Sequence, residues 1–250
     1  MKALVVYKNK KERTEIHTNK LIEKYFNVAY TGRNHVTKKH TSNADLIITL
    51  GGDGTVLSAS HYLINKPILT VNSSPNTSEG VLTKINITQL EQKLKEIQSN
   101  NFKTEKLERI EVSINNKSID LLSLNEVFIA NEKAYRTSKY KIKFKNIEEE
   151  HRSSGLIFST GTGSTAWFKS SHGEPFSPQS KFIKMIVREP YIGRIKKFSL
   201  LNAQIDEDEE FEVTPLVPSV LAIDSIKEIK LKKNDKVKIK ISKHPLIRII

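Results

Sequence analysis

Three clusters in this chain place polar side chains and glycines at spacings that could do chemistry. The first is Gly51-Gly52-Asp53-Gly54-Thr55. It follows the apolar run Leu46–Leu50 and precedes the helical pattern Val56–Ser60. Glycines at a strand-to-helix turn expose backbone N–H groups to an anion, with a helix dipole behind them. A carboxylate in such a cradle repels phosphate, so Asp53 suggests a proton acceptor or a magnesium contact. The turn is not a Walker loop, because no Gly-Lys-Ser/Thr follows. It also lacks the G-x-G-x-x-G spacing of a Rossmann fingerprint.

The second cluster is Leu124-Asn125-Glu126-Val127. A polar pair inside an apolar strand costs about 1–3 kcal/mol per unpaired group. Asn125 offers a donor and an acceptor and Glu126 a carboxylate, a set that suits a ribose diol or an amide. Solvated side chains at a sheet edge are the alternative. The third cluster runs from Arg152-Ser153-Ser154-Gly155 to Thr160-Gly161-Thr162-Gly163-Ser164-Thr165-Ala166-Trp167. Here an apolar strand enters a Gly/Ser/Thr turn that opens a helix. Small residues admit a flat ligand, hydroxyls and N–H groups supply hydrogen bonds, and Trp167 could stack on a base. A capped helix with a core tryptophan is the alternative.

The elements that must hold these clusters fall into two regions. Strands over Ala3–Tyr7, Leu46–Leu50 and Pro67–Asn72 alternate with helical patterns over 13–26, 55–64 and 87–99. Such a βαβ series predicts a parallel sheet covered by helices. After Phe102, strand patterns dominate: Arg109–Ile114, Tyr140–Lys145, Phe211–Thr214, and a hairpin of Ile226–Leu231 with Val237–Ile241 about Asn234-Asp235. The fold expected is an α/β N-terminal domain over 1–101 and a mainly antiparallel all-β domain over 102–250. The first carries the glycine turn, the second the other two clusters.

Composition narrows the classes. The chain has 250 residues, no cysteine and a net charge of +13. Disulfides, thiolate zinc sites and a cysteine nucleophile are excluded, and a reducing, cytoplasmic setting is compatible. Seven scattered histidines suggest no metal site. The basic charge is not concentrated into a tail and is not interleaved with aromatics, so no nucleic-acid partner is expected. No apolar run approaches a membrane span. Met1–Tyr7 reads as a buried strand rather than a secretory leader.

In their order and layout the clusters resemble the NAD kinase family, which carries Gly-Gly-Asp-Gly, then Asn-Glu, then Thr-Gly-Ser-Thr-Ala-aromatic. The resemblance spans about residues 44–224. It is closest to the mitochondrial-type branch through Asn72–Gly80, Asn125–Ile129, Ser153–Leu156, Thr160–Ser164 and Arg188-Glu189-Pro190. It implies transfer of the γ-phosphate of ATP, with Mg2+, to the 2′-hydroxyl of the adenosine ribose of NAD. It makes Asp53 the catalytic residue and assigns Gly51, Gly52, Gly54 and Thr55 to the phosphates. It assigns Asp53, Gly54, Asn72, Asn125, Glu126, Arg152, Ser154, Thr162, Thr165, Ala166, Trp167 and Ser170 to NAD. Arg152 and Arg188 become candidate cations. A homodimer or homotetramer follows from the same resemblance, and polyphosphate is an alternative donor. Ser154 and Trp167 replace the aspartate and tyrosine of the commoner bacterial pattern, and the usual Gly-Gly after the aromatic is not evident. A lipid kinase shares the glycine turn but leaves the other clusters unused. A non-catalytic dinucleotide-binding regulator leaves Asp53 without a purpose.

Overall fold

The computed structural model describes residues 1–8, 16–73, 75, 80–193 and 198–250. Contacts divide it into two units, Met1–Leu107 with His244–Ile250, and Glu108–Lys243. The first unit contains β1 (Lys2–Tyr7), α1 (Ile16–Glu23), β2 (Asn27–Gly32), α2 (Lys38–Ser42), β3 (Leu46–Gly51), α3 (Asp53–Ser60), β4 (Pro67–Asn72), β5 (Ile85–Asn86), α4 (Leu90–Gln98) and β6 (Thr104–Leu107). The second contains β7 (Ile110–Ile114), β8 (Lys117–Ser123), β9 (Glu126–Asn131), β10 (Ser138–Phe144), β11 (Ile147–Ser153), β12 (Gly155–Ser159) and α5 (Trp167–Ser170). It continues with β13 (Ile183–Arg188), β14 (Asn202–Ile205), β15 (Phe211–Pro215), β16 (Ser219–Ile223), β17 (Lys227–Leu231) and β18 (Val237–Ile241). The chain then returns to the first unit as β19 (Leu246–Ile249).

The first sheet runs β2-β1-β3-β4-β19-β6, with β5 beside β4. All its pairings are parallel except β19 with β6. Every residue of β3 is buried, as expected for a parallel strand covered on both faces. On one face Ala3, Val5, Leu46, Ile48, Leu69 and Val71 pack with Ile22 of α1 and with Leu90, Leu94 and Ile97 of α4. The α4 residues recur at helical spacing, which explains why this segment is a helix docked by one stripe. The expected helix over 13–26 is helical at Ile16–Glu23, and residues 9–15 lie outside the described ones.

The second unit is a sandwich of two six-stranded sheets, β11-β10-β15-β18-β7-β8 and β14-β13-β12-β9-β16-β17. All pairings within them are antiparallel. Strand β10 shows the period of two clearly. Tyr140, Ile142 and Phe144 enter the core, while Lys139, Lys141 and Lys143 are exposed. Lys141 and Lys143 stand opposite Glu150 and Glu148 of β11, so part of the basic charge is a solvated ladder of opposite charges.

Two expectations fail. Strands β17 and β18 do not form a hairpin: β17 pairs with β16 and β18 with β15 and β7, in different sheets. The turn at Asn234, φ 69°, carries the chain from one sheet to the other. The last strand is part of the parallel sheet rather than of the all-β region. It brings Arg248, only 4% exposed, opposite Glu105. The Arg248 guanidinium donates to Glu105 at 2.9 Å and to the Leu82 carbonyl at 3.1 Å.

Removing one partner of a buried pair leaves an uncompensated charge. Arg248→Ala is therefore expected to lower stability by about 3 kcal/mol or more in urea titration. Lys238→Ala, which breaks a solvated pair with Glu210, should cost less than about 1 kcal/mol. Equal small losses would contradict this assignment.

Candidate functional site

The carboxyl ends of the parallel strands bring the first group of residues together. Lys8 follows β1 and donates its N–H to Leu50. Arg33 follows β2 and donates its N–H to Tyr7. Gly51 ends β3 directly opposite Asn72, which ends β4. In parallel α/β sheets ligands bind beyond these ends. Gly52 caps α3, and Asp53 is its first residue. An acidic residue there is favoured by the helix dipole.

Asp53 is anchored from a separate segment. Its Oδ1 accepts the Leu82 N–H at 2.9 Å, and its Oδ2 accepts the Val81 N–H at 3.1 Å. The carboxylate is thus oriented by backbone rather than by a cation. An ionised carboxylate has roughly four acceptor positions, so two bonds leave capacity for a hydroxyl proton. Thr55 Oγ1 is fully buried and has no hydrogen-bond partner among the described residues. Arg33 joins this group, although sequence reasoning missed it. Its Nη1 lies 3.0 Å from where a Cβ on Gly54 would stand. The available signal was its place one residue beyond Gly32, but the half-exposed β2 was not recognised as a strand.

The second group sits where β9 begins and β12 ends. Asp224, buried, accepts three successive backbone N–H groups, from Leu124 at 2.9 Å, Asn125 at 2.8 Å and Glu126 at 3.1 Å. It also accepts the Ser123 hydroxyl at 2.5 Å. Its own N–H donates to the Glu126 carbonyl at 2.9 Å. The Thr160 N–H donates to the Asn125 carbonyl, and the Thr160 hydroxyl to the Leu124 carbonyl at 2.6 Å. Gly163 has to be glycine, because a Cβ there would strike the Asn125 backbone. The sequence clusters at 124–127 and 160–165 are therefore one structure.

Three buried polar atoms of that structure have no partner among the described residues: Asn125 Oδ1, Glu126 Oε2 and Thr162 Oγ1. Burial and the nearby Asp224 charge push the Glu126 carboxyl up to about 7. Burial also pushes the Arg109 guanidinium down to about 9, while Asp224 and Glu108 oppose the shift. Glu126 and Asn125 together can meet a diol or an amide, with Glu126 able to donate when protonated.

Of the remaining predicted residues, Arg152 is on β11, Ser154 links β11 to β12, Thr165 and Ala166 lie in the turn after β12, and Trp167 and Ser170 are on α5. Arg152, Thr165, Ala166 and Ser170 are exposed, and Ser154 is half-buried. Ser154 and Thr162 flank opposite ends of β12, a span of about 13 Å at 3.3 Å per residue. The Trp167 ring packs against Phe128 at a tilt of 41°, with centroids 4.5 Å apart. The Arg188 guanidinium lies 5.3 Å from Trp167 and 5.6 Å from Phe128. It also pairs with Glu189 at 3.3 Å. Arg188 is thus already engaged by two aromatic rings and a carboxylate. The Ser154 hydrogen bond, followed by Arg188, holds the Glu189 carboxyl below the usual range.

Residues 2–102 match the family of the ATP-NAD kinase N-terminal domain. A NAD kinase of Clostridium botulinum (strain Eklund 17B / Type B) is 36% identical over 151 residues, covering 58% of this chain and 52% of that protein. A protein of Oryza sativa subsp. japonica named "Probable NADH kinase" is 28% identical over 193 residues, covering 68% and 59%. In both relatives the match spans little more than half of their length. An NAD kinase from Archaeoglobus fulgidus, solved in complex with ATP, superposes with a TM-score of 0.78 at 25% identity, over all of this chain and 94% of that one. Residues 2–102 thus resemble the N-terminal domain of ATP-NAD kinases, and the fold of the chain resembles that of a solved NAD kinase.

Proposed function

We propose that this chain phosphorylates NAD, moving the γ-phosphoryl group of ATP to the 2′-hydroxyl of the adenosine ribose. The observation that carries this reading is the trio of unpartnered buried atoms on Asn125, Glu126 and Thr162. Leaving such atoms unpaired costs about 1–3 kcal/mol each, which a ligand rich in hydroxyls and amides would offset. In the reaction the bond from the γ-phosphorus to the β,γ-bridging oxygen breaks. A bond to the ribose 2′-oxygen forms, the hydroxyl proton passes to Asp53, and ADP and NADP result. The glycine turn Gly51, Gly52, Gly54 and Thr55 would hold the phosphates. Asn72, Arg152, Ser154, Thr165, Ala166, Trp167 and Ser170 would complete the dinucleotide contacts.

Magnesium would enter with the nucleotide. Among the described residues no three His, Cys, Asp or Glu side chains group to hold a metal. Magnesium commonly takes one or two carboxylates, water and substrate phosphates, an arrangement that Asp53 at the phosphate turn fits. It would neutralise charge developing on the phosphates.

Ser154 and Trp167, with Arg188-Glu189-Pro190, favour the mitochondrial-type branch of the family. The family reading carries with it a cytoplasmic homodimer or homotetramer, with polyphosphate as the competing donor. No helix among the described residues is long and apolar enough to cross a membrane.

Incubation with ATP or polyphosphate, magnesium and NAD, followed by chromatography, should yield NADP; none from either donor overturns the proposal. Asp53→Asn is expected to cut turnover by at least about 10²-fold, with NAD and ATP dissociation constants nearly unchanged. Near-normal turnover would exclude Asp53 as the base. Glu126 makes a separate prediction. Its carboxyl is raised from 4.5 to about 7 on folding. The folded state therefore holds the extra proton between these values, and stability falls as pH rises through that window. Relative to Glu126→Gln, the unmodified protein should lose on the order of 2–3 kcal/mol between pH 5 and pH 8. Parallel unfolding profiles for the two proteins would contradict the shifted carboxyl.

A further inference from the structure

One cation near the glycine turn has no assigned work. Arg33 is half-buried, and its Nη1 comes within 3.0 Å of the missing Cβ of Gly54. Among the described residues its side chain makes no hydrogen bond and no ion pair. Asp53, the neighbouring carboxylate, is turned instead to the N–H groups of Val81 and Leu82. The guanidinium therefore stands beside the first turn of α3, whose dipole presents about half a positive charge. Two positive features converge, and among the described residues no carboxylate pairs with the Arg33 side chain. That juxtaposition is unfavourable until an anion arrives, and the buried, unpartnered Thr55 hydroxyl lies in the same turn.

We propose that Arg33 is a catalytic residue that grips the phosphate chain of the donor at the Gly51–Thr55 turn. This rests on the kinase reading of the same site. The guanidinium fork matches two phosphate oxygens, which a lysine cannot reproduce. Gly54 leaves room for the fork beside bare backbone. As the γ-phosphoryl group departs, negative charge accumulates on the oxygens of the leaving diphosphate. A positioned arginine stabilises that charge and commonly contributes orders of magnitude to phosphoryl transfer. Thus the donor's charge would be met by Arg33, which follows β2, and by the N–H groups of α3, while Asp53 stays held by the N–H groups of Val81 and Leu82.

The test compares the unmodified chain with Arg33→Gln and Arg33→Lys. Because the Arg33 side chain makes no hydrogen bond or ion pair among the described residues, both variants should keep the melting temperature. Arg33→Gln should lower kcat/KM for ATP by about 10²–10³-fold, with KM for NAD within threefold. Arg33→Lys should recover part of the ATP affinity but less of kcat, because the charge returns without the fork. A calorimetric titration with ATP or inorganic tripolyphosphate decides the residue independently of turnover. Binding at least tenfold weaker in Arg33→Gln supports the assignment, and equal binding overturns it. If the unmodified chain forms no NADP, the activity reading fails, while this titration still decides Arg33.

Discussion

The second unit's site depends on one buried carboxylate. Asp224 accepts N–H groups from three consecutive residues and a hydroxyl from a fourth. Hydrogen bonds to a charged group are worth about 1.5–3 kcal/mol each, so the backbone of 123–126 has little freedom. That rigidity has two consequences. The side chains of Asn125 and Glu126 cannot rotate away with their backbone to find solvent. The fixed negative charge beside Glu126 also raises its affinity for a proton. Buried Arg109 supplies the opposing charge that makes a carboxylate tolerable at this depth.

Asp53 in the first unit is the instructive contrast. It too is held by backbone N–H groups from a distant segment, but by two rather than three, and among the described residues no hydroxyl is added. Asp224 has its acceptor positions filled by the protein, and its contribution is structural. Asp53 keeps acceptor capacity and sits at the start of a helix, half-buried, beside glycines. Under the proposed function, what separates a reacting Asp53 from the structural Asp224 is that unfilled capacity, not the residue type. The loop that orients Asp53 is itself tied down, since Arg248 of the last strand donates to the Leu82 carbonyl.

Local signals in the sequence reached far into this architecture. The apolar run before Gly51 is the fully buried β3, and the glycine turn opens α3. The alternation of Tyr140–Lys145 is the sandwich strand β10. Asn125-Glu126 and the Thr160–Thr165 turn were legible as separate odd features, because polar residues in apolar strands violate pattern. What was not legible is long range. Asp224 meets residues 98 to 101 positions away, and nothing near Ile223-Asp224 announces it. Arg33 follows β2, in which Asn27–Tyr30 alternate between exposed and half-buried at this sheet edge and the buried Thr31 is polar, so that no apolar run marks the strand. The patterns of β17 and β18 are correct as strands, yet partner choice is decided by which sheet each completes. The pairing of β19 with β4 is likewise a contact across most of the chain.

The proposed function makes one claim of the two groups of residues: the second unit would recognise NAD through buried atoms that have no partner among the described residues, while the first would handle phosphate. Calorimetric titration of NAD into Asn125→Ala beside the unmodified chain tests it most directly. Deleting the amide removes the Oδ1 atom without touching the Asp224 bonds, which go to backbone. The account predicts NAD affinity reduced at least about tenfold, the equivalent of roughly 1.4 kcal/mol, with ATP affinity unchanged. Unaltered NAD affinity, or an equal loss for ATP, would contradict it.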